Sequence, residues 1–171
     1  MNDPGRTEAY TAEDRATMTG PACAFLDQWL ATMDTALAEW RRAHLPAGFP
    51  FDFGLDSLDA LEPLLLSRFP DRAAIDAASN ADFTTGAVRY IGETLLRAVP
   101  ARWGYEDRGP EDTHRYNRVP VVRSNTPAAF MEAVAPHLAL HVLVRDRGLG
   151  TLRQFTGPLL DAHEAAELAG G

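Results

Sequence analysis

A chain of 171 residues, with 46% apolar and 23% charged side chains, is long enough for one domain with a real hydrophobic core. All 16 basic residues are Arg, set against 24 acids, for a formal net charge of −8. Residues 1–83 carry 14 of those acids and only 6 Arg, and an acidic half repels phosphate, which argues against non-specific binding to nucleic acid or an anionic membrane.

Cys23 is the only cysteine, so an intramolecular disulfide and a cysteine metal cluster are both excluded. No charged-then-apolar leader opens the sequence, and no apolar run approaches the roughly 20 residues of a bilayer span. A cytoplasmic location is the expectation.

Residues 1–20 are polar and aperiodic and read as a flexible arm with one docked turn around Tyr10. Residues 21–171 read as a single globular domain. From Pro21, apolar side chains at Ala22, Phe25, Leu26, Trp29, Leu30, Met33, Leu37 and Trp40 recur at helical spacing. This spacing predicts one long amphipathic helix ending near His44. The loop "PAGFPFDFGLD" is pinned to the core by Phe51 and Phe53. Asp56 caps a helix in which Pro63 forces either a kink or a fresh start. Residues 70–81 form a linker with weak helical content.

The next helix, over residues 82–99, places Val88, Ile91, Leu95 and Val99 on one face. Arg89, Glu93 and Arg97 fall opposite at i,i+4 spacing, which predicts a solvated salt-bridge row rather than a catalytic carboxylate. Gly92 on the apolar flank predicts close approach by a neighbouring element.

After Pro100 the period changes. "ARWGYE" and "HRYNRVPVVR" read as the strands of a hairpin near 102–122, held on the helices by Trp103, Tyr105 and Val121. Pro120 confines that end to an edge or bulge. Thr126 and Pro127 open a helix through "SNTPAAFMEAV". "HLALHVLV" reads as a buried helix, with an inner strand as the alternative. "RGLGT" lacks the residues of a phosphate loop and reads as a helix stop at Gly148. A short helix from Thr151 and a last one opening at Pro158 complete a predominantly helical α+β fold of five or six helices with a small β-hairpin.

Two groups of residues attract functional attention. Arg115, Tyr116, Arg118 and Arg123 lie in a stretch with no acid between His114 and Ser124. As an edge strand it offers a recognition surface for a phosphate, a carboxylate or an acidic protein. The competing reading is a charged guard against edge-to-edge aggregation. His137 and His141 stand four residues apart, so a helix would let both imidazoles reach one metal ion. Leu138 occupies the position of the Glu in a zinc-protease helix, Pro136 disturbs the local geometry, and spacing identifies no third ligand beyond the remote His163 and Glu164. Imidazoles bonded to backbone are therefore the expectation, and no metal or cofactor.

No nucleophile-elbow Ser is present and the lone Cys sits on a core stripe, so no catalytic set emerges. The leading reading is a non-enzymatic cytoplasmic interaction protein, an accessory or immunity-like factor that docks one protein partner. The alternative is a small-molecule-binding protein or enzyme with a pocket between the hairpin and the His137/His141 helix. A pocket lined by convergent polar groups favours the second reading, and a flat apolar patch the first. Neither a membrane nor nucleic acid is an expected partner, and the oligomeric state is left open.

The string Tyr90-Ile91-Gly92-Glu93, followed by Trp103, "VPVV" and "TPAAFM", resembles small uncharacterised proteins of actinobacteria. The resemblance spans roughly residues 52–135 and implies a source, with no activity to carry over.

Overall fold

A computed structural model describes residues 11–171; Tyr10 and the rest of the first ten residues lie outside it. The helices are α1 (Ala12–Thr17), α2 (Gly20–Ala31), α3 (Met33–His44), α4 (Leu55–Arg68), α5 (Arg72–Asp76), α6 (Ala81–Ala98), α7 (Pro136–Asp146) and α8 (Thr156–Gly170). Strands β1 (Ala101–Gly104), β2 (Val121–Ser124) and β3 (Ala133–Val134) form an antiparallel sheet in that order, with Trp103 opposite Val122 and Val122 opposite Val134. The molecule is a mostly helical α+β fold.

Helix α6 is its axis. Thirteen of its 18 residues are buried, because α3, α4, α5, α7 and the sheet all pack on it. Two glycines make that possible. A methyl group at Gly86 would overlap the Trp40 ring, and one at Gly92 would overlap Trp103. Trp103 is fully buried there and meets Trp29 edge to face, with ring centroids 5.4 Å apart. The hairpin is thus anchored to the helices through Trp103, with Tyr105 and Val121 also buried.

The salt-bridge row on α6 is not solvated. Glu93 is fully buried and Arg89 is 8% exposed. Arg89 donates to the Trp29 carbonyl at 2.8 Å and to the Thr32 hydroxyl at 3.1 Å, with its guanidinium 3.8 Å above the Trp29 ring. Burial lowers the Arg89 pKa, and the Glu93 charge opposes that shift. Arg97 lies over the Phe53 ring. The face that reads as wet on a helical wheel is covered because α6 has neighbours on every side.

The single helix expected over 21–44 is two, broken at Thr32, and Arg89 bonds at that break. In a continuous helix the Trp29 carbonyl would accept from the Met33 amide. Arg89 takes that carbonyl instead, Thr32 leaves helical geometry, and α3 starts afresh at Met33.

The structure settles three other readings. Helix α4 runs through Pro63 as one element, with the ring exposed on the outer face. The helix expected after Thr126 is a 3-10 turn, Ala128–Phe130, followed by β3. Ser124 and Thr126 share a hydrogen bond between hydroxyls, and the Ser124 amide donates to Glu132, which draws the chain back onto the sheet. The stretch 136–146 is helix α7, as the apolar pattern indicates, and not an inner strand.

Two substitutions test this packing. Ala at Gly92 gains about 1 kcal/mol of helix propensity, yet the overlap with Trp103 should turn this into a net loss of about 1–3 kcal/mol in urea denaturation. Glu93→Gln removes a buried charge beside a buried Arg and should cost about 3–5 kcal/mol at pH 7. A loss below about 1 kcal/mol would mean that Glu93 is effectively solvated.

Candidate functional site

Asp76, the last residue of α5, stands opposite the two histidines of α7. His137 Nε2 lies 2.7 Å from Asp76 Oδ1, and His141 Nε2 lies 3.1 Å from Asp76 Oδ2. The two imidazoles meet edge to face at 4.7 Å between centroids. One donor atom from each residue falls within a set spanning no more than 4.8 Å. The third group that sequence spacing failed to reveal is therefore a carboxylate 61 residues before His137. His163 takes no part, sharing a hydrogen bond with the Pro100 carbonyl instead.

Asp76 is placed by α6. The buried hydroxyl of Thr84 donates to the Ile75 carbonyl at 2.9 Å, tying the end of α5 to the central helix. Ile75 itself is buried, while the Asp76 side chain is 57% exposed. Behind the pair, Arg72 Nε donates to His141 Nδ1 at 3.4 Å. With Nδ1 accepting, the neutral ring carries its proton on Nε2 and donates to Asp76. Burial lowers the His141 pKa, the charges of His137 and Arg72 lower it further, and Asp76 pulls the other way. The histidines are bonded to a carboxylate and not to backbone, contrary to expectation.

His137 and Asp76 sit on the rim of a cleft of about 420 Å³. Phe25, Trp29, Val88, Val119 and Pro120 supply apolar wall, and Arg118 supplies a cation. The cleft lies among α2, α5, α6 and the connection from β1 to β2, with His137 the residue that α7 contributes.

That connection corrects the basic-strand reading. Residues 114–120 are turns and irregular chain with one isolated bridge, Asn117 to Glu106, and β2 begins only at Val121, after Pro120. Alternation along a strand therefore does not apply to Arg115, Tyr116 and Arg118. Arg115 is exposed, with its guanidinium 4.7 Å from the Tyr116 ring centroid. Tyr116 is half-buried and donates to the Ala133 carbonyl. Arg118 adopts a left-handed backbone, φ 58°, held by its amide donating to the Glu106 carbonyl at 2.8 Å. Its side chain is half exposed, 3.7 Å from Asp107. Arg123 lies on the central strand and is buried, paired with Glu106 at 3.5 Å and Asp14 at 3.9 Å.

Asp14 also revises the N-terminal arm. Residues 12–17 are helical, closed by a capping box between Thr11 and Asp14. Asp14 accepts from Arg102 Nε at 2.5 Å and from Nη2 at 2.9 Å. A cavity of about 610 Å³ opens beside this node, but its buried cations Arg102 and Arg123 are already matched by Asp14 and Glu106.

"RGLGT" does bind an anion, one supplied by the chain itself. Buried Glu62 accepts from the Gly150 amide at 2.7 Å and the Leu152 amide at 2.9 Å. Gly150 has φ +87°, a conformation suited to glycine. The left-handed stop of α7 is Arg147 and not Gly148.

Burial alone would raise the Asp14 pKa. The Arg102 hydrogen bond, the Thr11 amide and the charges of Arg102 and Arg123 outweigh it and carry the value below the ordinary range. Its contribution to stability is therefore present above the unfolded-state pKa of about 3.9 and is lost as pH falls through the lower folded-state value. Asp14→Asn should cost about 3–5 kcal/mol at pH 7. Below about pH 4 the gap between wild type and variant in urea denaturation should shrink.

Compared with family models, curated proteins and solved structures, the chain matches none.

Proposed function

We propose that this chain binds a small amphipathic organic acid in the cleft that residues 118–120 form with α2, α5 and α6, beside His137. The observation that carries this reading is the composition of the cleft. Its volume of about 420 Å³ falls in the range of small-molecule sites, which are mainly apolar with a few converging polar groups. Phe25, Trp29, Val88 and Val119 would cover an apolar body. Arg118 would meet the acid group as a forked donor. Its left-handed backbone is an uncommon conformation for a side chain of this size, of the kind that clusters at ligand sites.

The docking reading, the leading one from the sequence, draws less support. Of the four residues that would form its surface, Arg123 is buried and Tyr116 half-buried. Arg115 remains as an exposed cation beside its own neighbour's ring.

The probe for this reading is 8-anilinonaphthalene-1-sulfonate, an aromatic anion whose fluorescence rises in apolar surroundings. Wild type should show saturable binding at one site. Arg118→Gln should weaken it about tenfold, the equivalent of about 1.4 kcal/mol. Val119→Asp, which adds a carboxylate to the half-buried cleft wall, should abolish it. Both variants should keep the wild-type melting temperature, which separates cleft binding from uptake by a loosened core. Equal binding by wild type and both variants would overturn the reading.

A further inference from the structure

We infer that Asp76, His137 and His141 hold a divalent transition-metal ion at the rim of the cleft, with an open coordination position facing it. The inference stands on its own donor geometry and does not require the cleft to take an organic acid.

The donors come from two elements with independent reasons to be where they are. His137 and His141 share one face of α7 at i,i+4 spacing. Asp76 closes α5 and is held by the Thr84 bond to Ile75. Metal–nitrogen and metal–oxygen bonds of about 2.0–2.2 Å place neighbouring donors roughly 3.0–3.6 Å apart. Asp76 reaches His137 through Oδ1 at 2.7 Å and His141 through Oδ2 at 3.1 Å, and one donor atom from each of the three residues lies within 4.8 Å of the others. Small side-chain rotations would admit an ion between the three groups.

The chemistry of the set selects the ion. Two imidazoles and a carboxylate suit zinc, cobalt, nickel or ferrous iron, whereas calcium and magnesium favour oxygen ligands throughout. Three protein donors leave room for water or a ligand atom, as in catalytic rather than structural zinc sites. Asp76 and His137 both line the cleft, so the open position looks into it.

Arg72 works against the ion. Binding through His141 Nε2 moves the ring proton to Nδ1, the atom that now accepts from Arg72. Arg72 must then withdraw, and its positive charge opposes a second cation. It is exposed and free to move. Arg72→Gln removes the repulsion and leaves a side-chain carbonyl able to accept from Nδ1–H.

The test uses the whole chain titrated with cobalt(II), read by visible d–d absorption, and with zinc(II) by calorimetry. Wild type should bind one equivalent of each. His137→Gln and Asp76→Asn change partly or well exposed side chains, so both should fold. Each should weaken binding by about a hundredfold or more, beyond the effect typical of groups that only support a ligand. Arg72→Gln should tighten binding at least about threefold, and more at low salt. Retention of metal binding by both ligand variants, or no binding by wild type, overturns the inference. So does a spectrum unchanged by Asp76→Asn, because it would reduce the site to two histidines.

Discussion

The packing of the Trp103 ring against the bare backbone at Gly92 sets the distance between the sheet and α6, and the remaining elements are placed around that contact. A side chain at Gly92 would push the sheet outward and pull Trp103 from Trp29. Trp29 in turn supports Arg89 on its ring and offers it a carbonyl acceptor near the end of α2. The same central helix reaches α5 through Thr84 and packs against α7, bringing Asp76 to the two histidines. A core contact thereby sets the geometry of a surface site, through rigid helices packed at crystal-like density.

Charge inside this protein is used as structure. Glu62 holds the chain after α7 through two amides, Asp14 holds α1 against the sheet through Arg102, and Glu93 lies beside Arg89 within the helical layer. Buried ions are costly unless paired and hydrogen-bonded, and Glu62 and Asp14 in this way join segments distant in sequence. The acids that remain exposed, Asp76 among them, are the ones available to a ligand.

Much of the fold was legible in the sequence for a physical reason. Apolar residues at helical spacing in α3, α6 and α7, and the switch in period after Pro100, are local signals that burial then reinforces. Thr126 and Pro127 misled because a cap and a proline also suit a 3-10 turn, and pairing with β2 decided between the two. The Glu93 row misled more deeply. Spacing places charges on one face of a helix but is silent on what covers that face. Two of the three donors of the candidate site were legible: His137 and His141 show their relation at four residues' separation. Asp76 could not be paired with them, because it joins only when α5 and α7 meet on α6. The basic stretch from His114 failed as a strand because its register depended on a sheet that starts at Val121.

The account's central claim is that this core aligns Asp76 with the Nε2 atoms of His137 and His141 to receive one metal ion. Long-range ¹⁵N–¹H NMR of the histidine rings, recorded before and after one equivalent of zinc, tests it most directly. Among five histidines, the account predicts that only His137 and His141 convert to rings metallated at Nε2 and protonated at Nδ1. Their unchanged ring signals after zinc, or conversion of His44, His114 or His163 in their place, would contradict it.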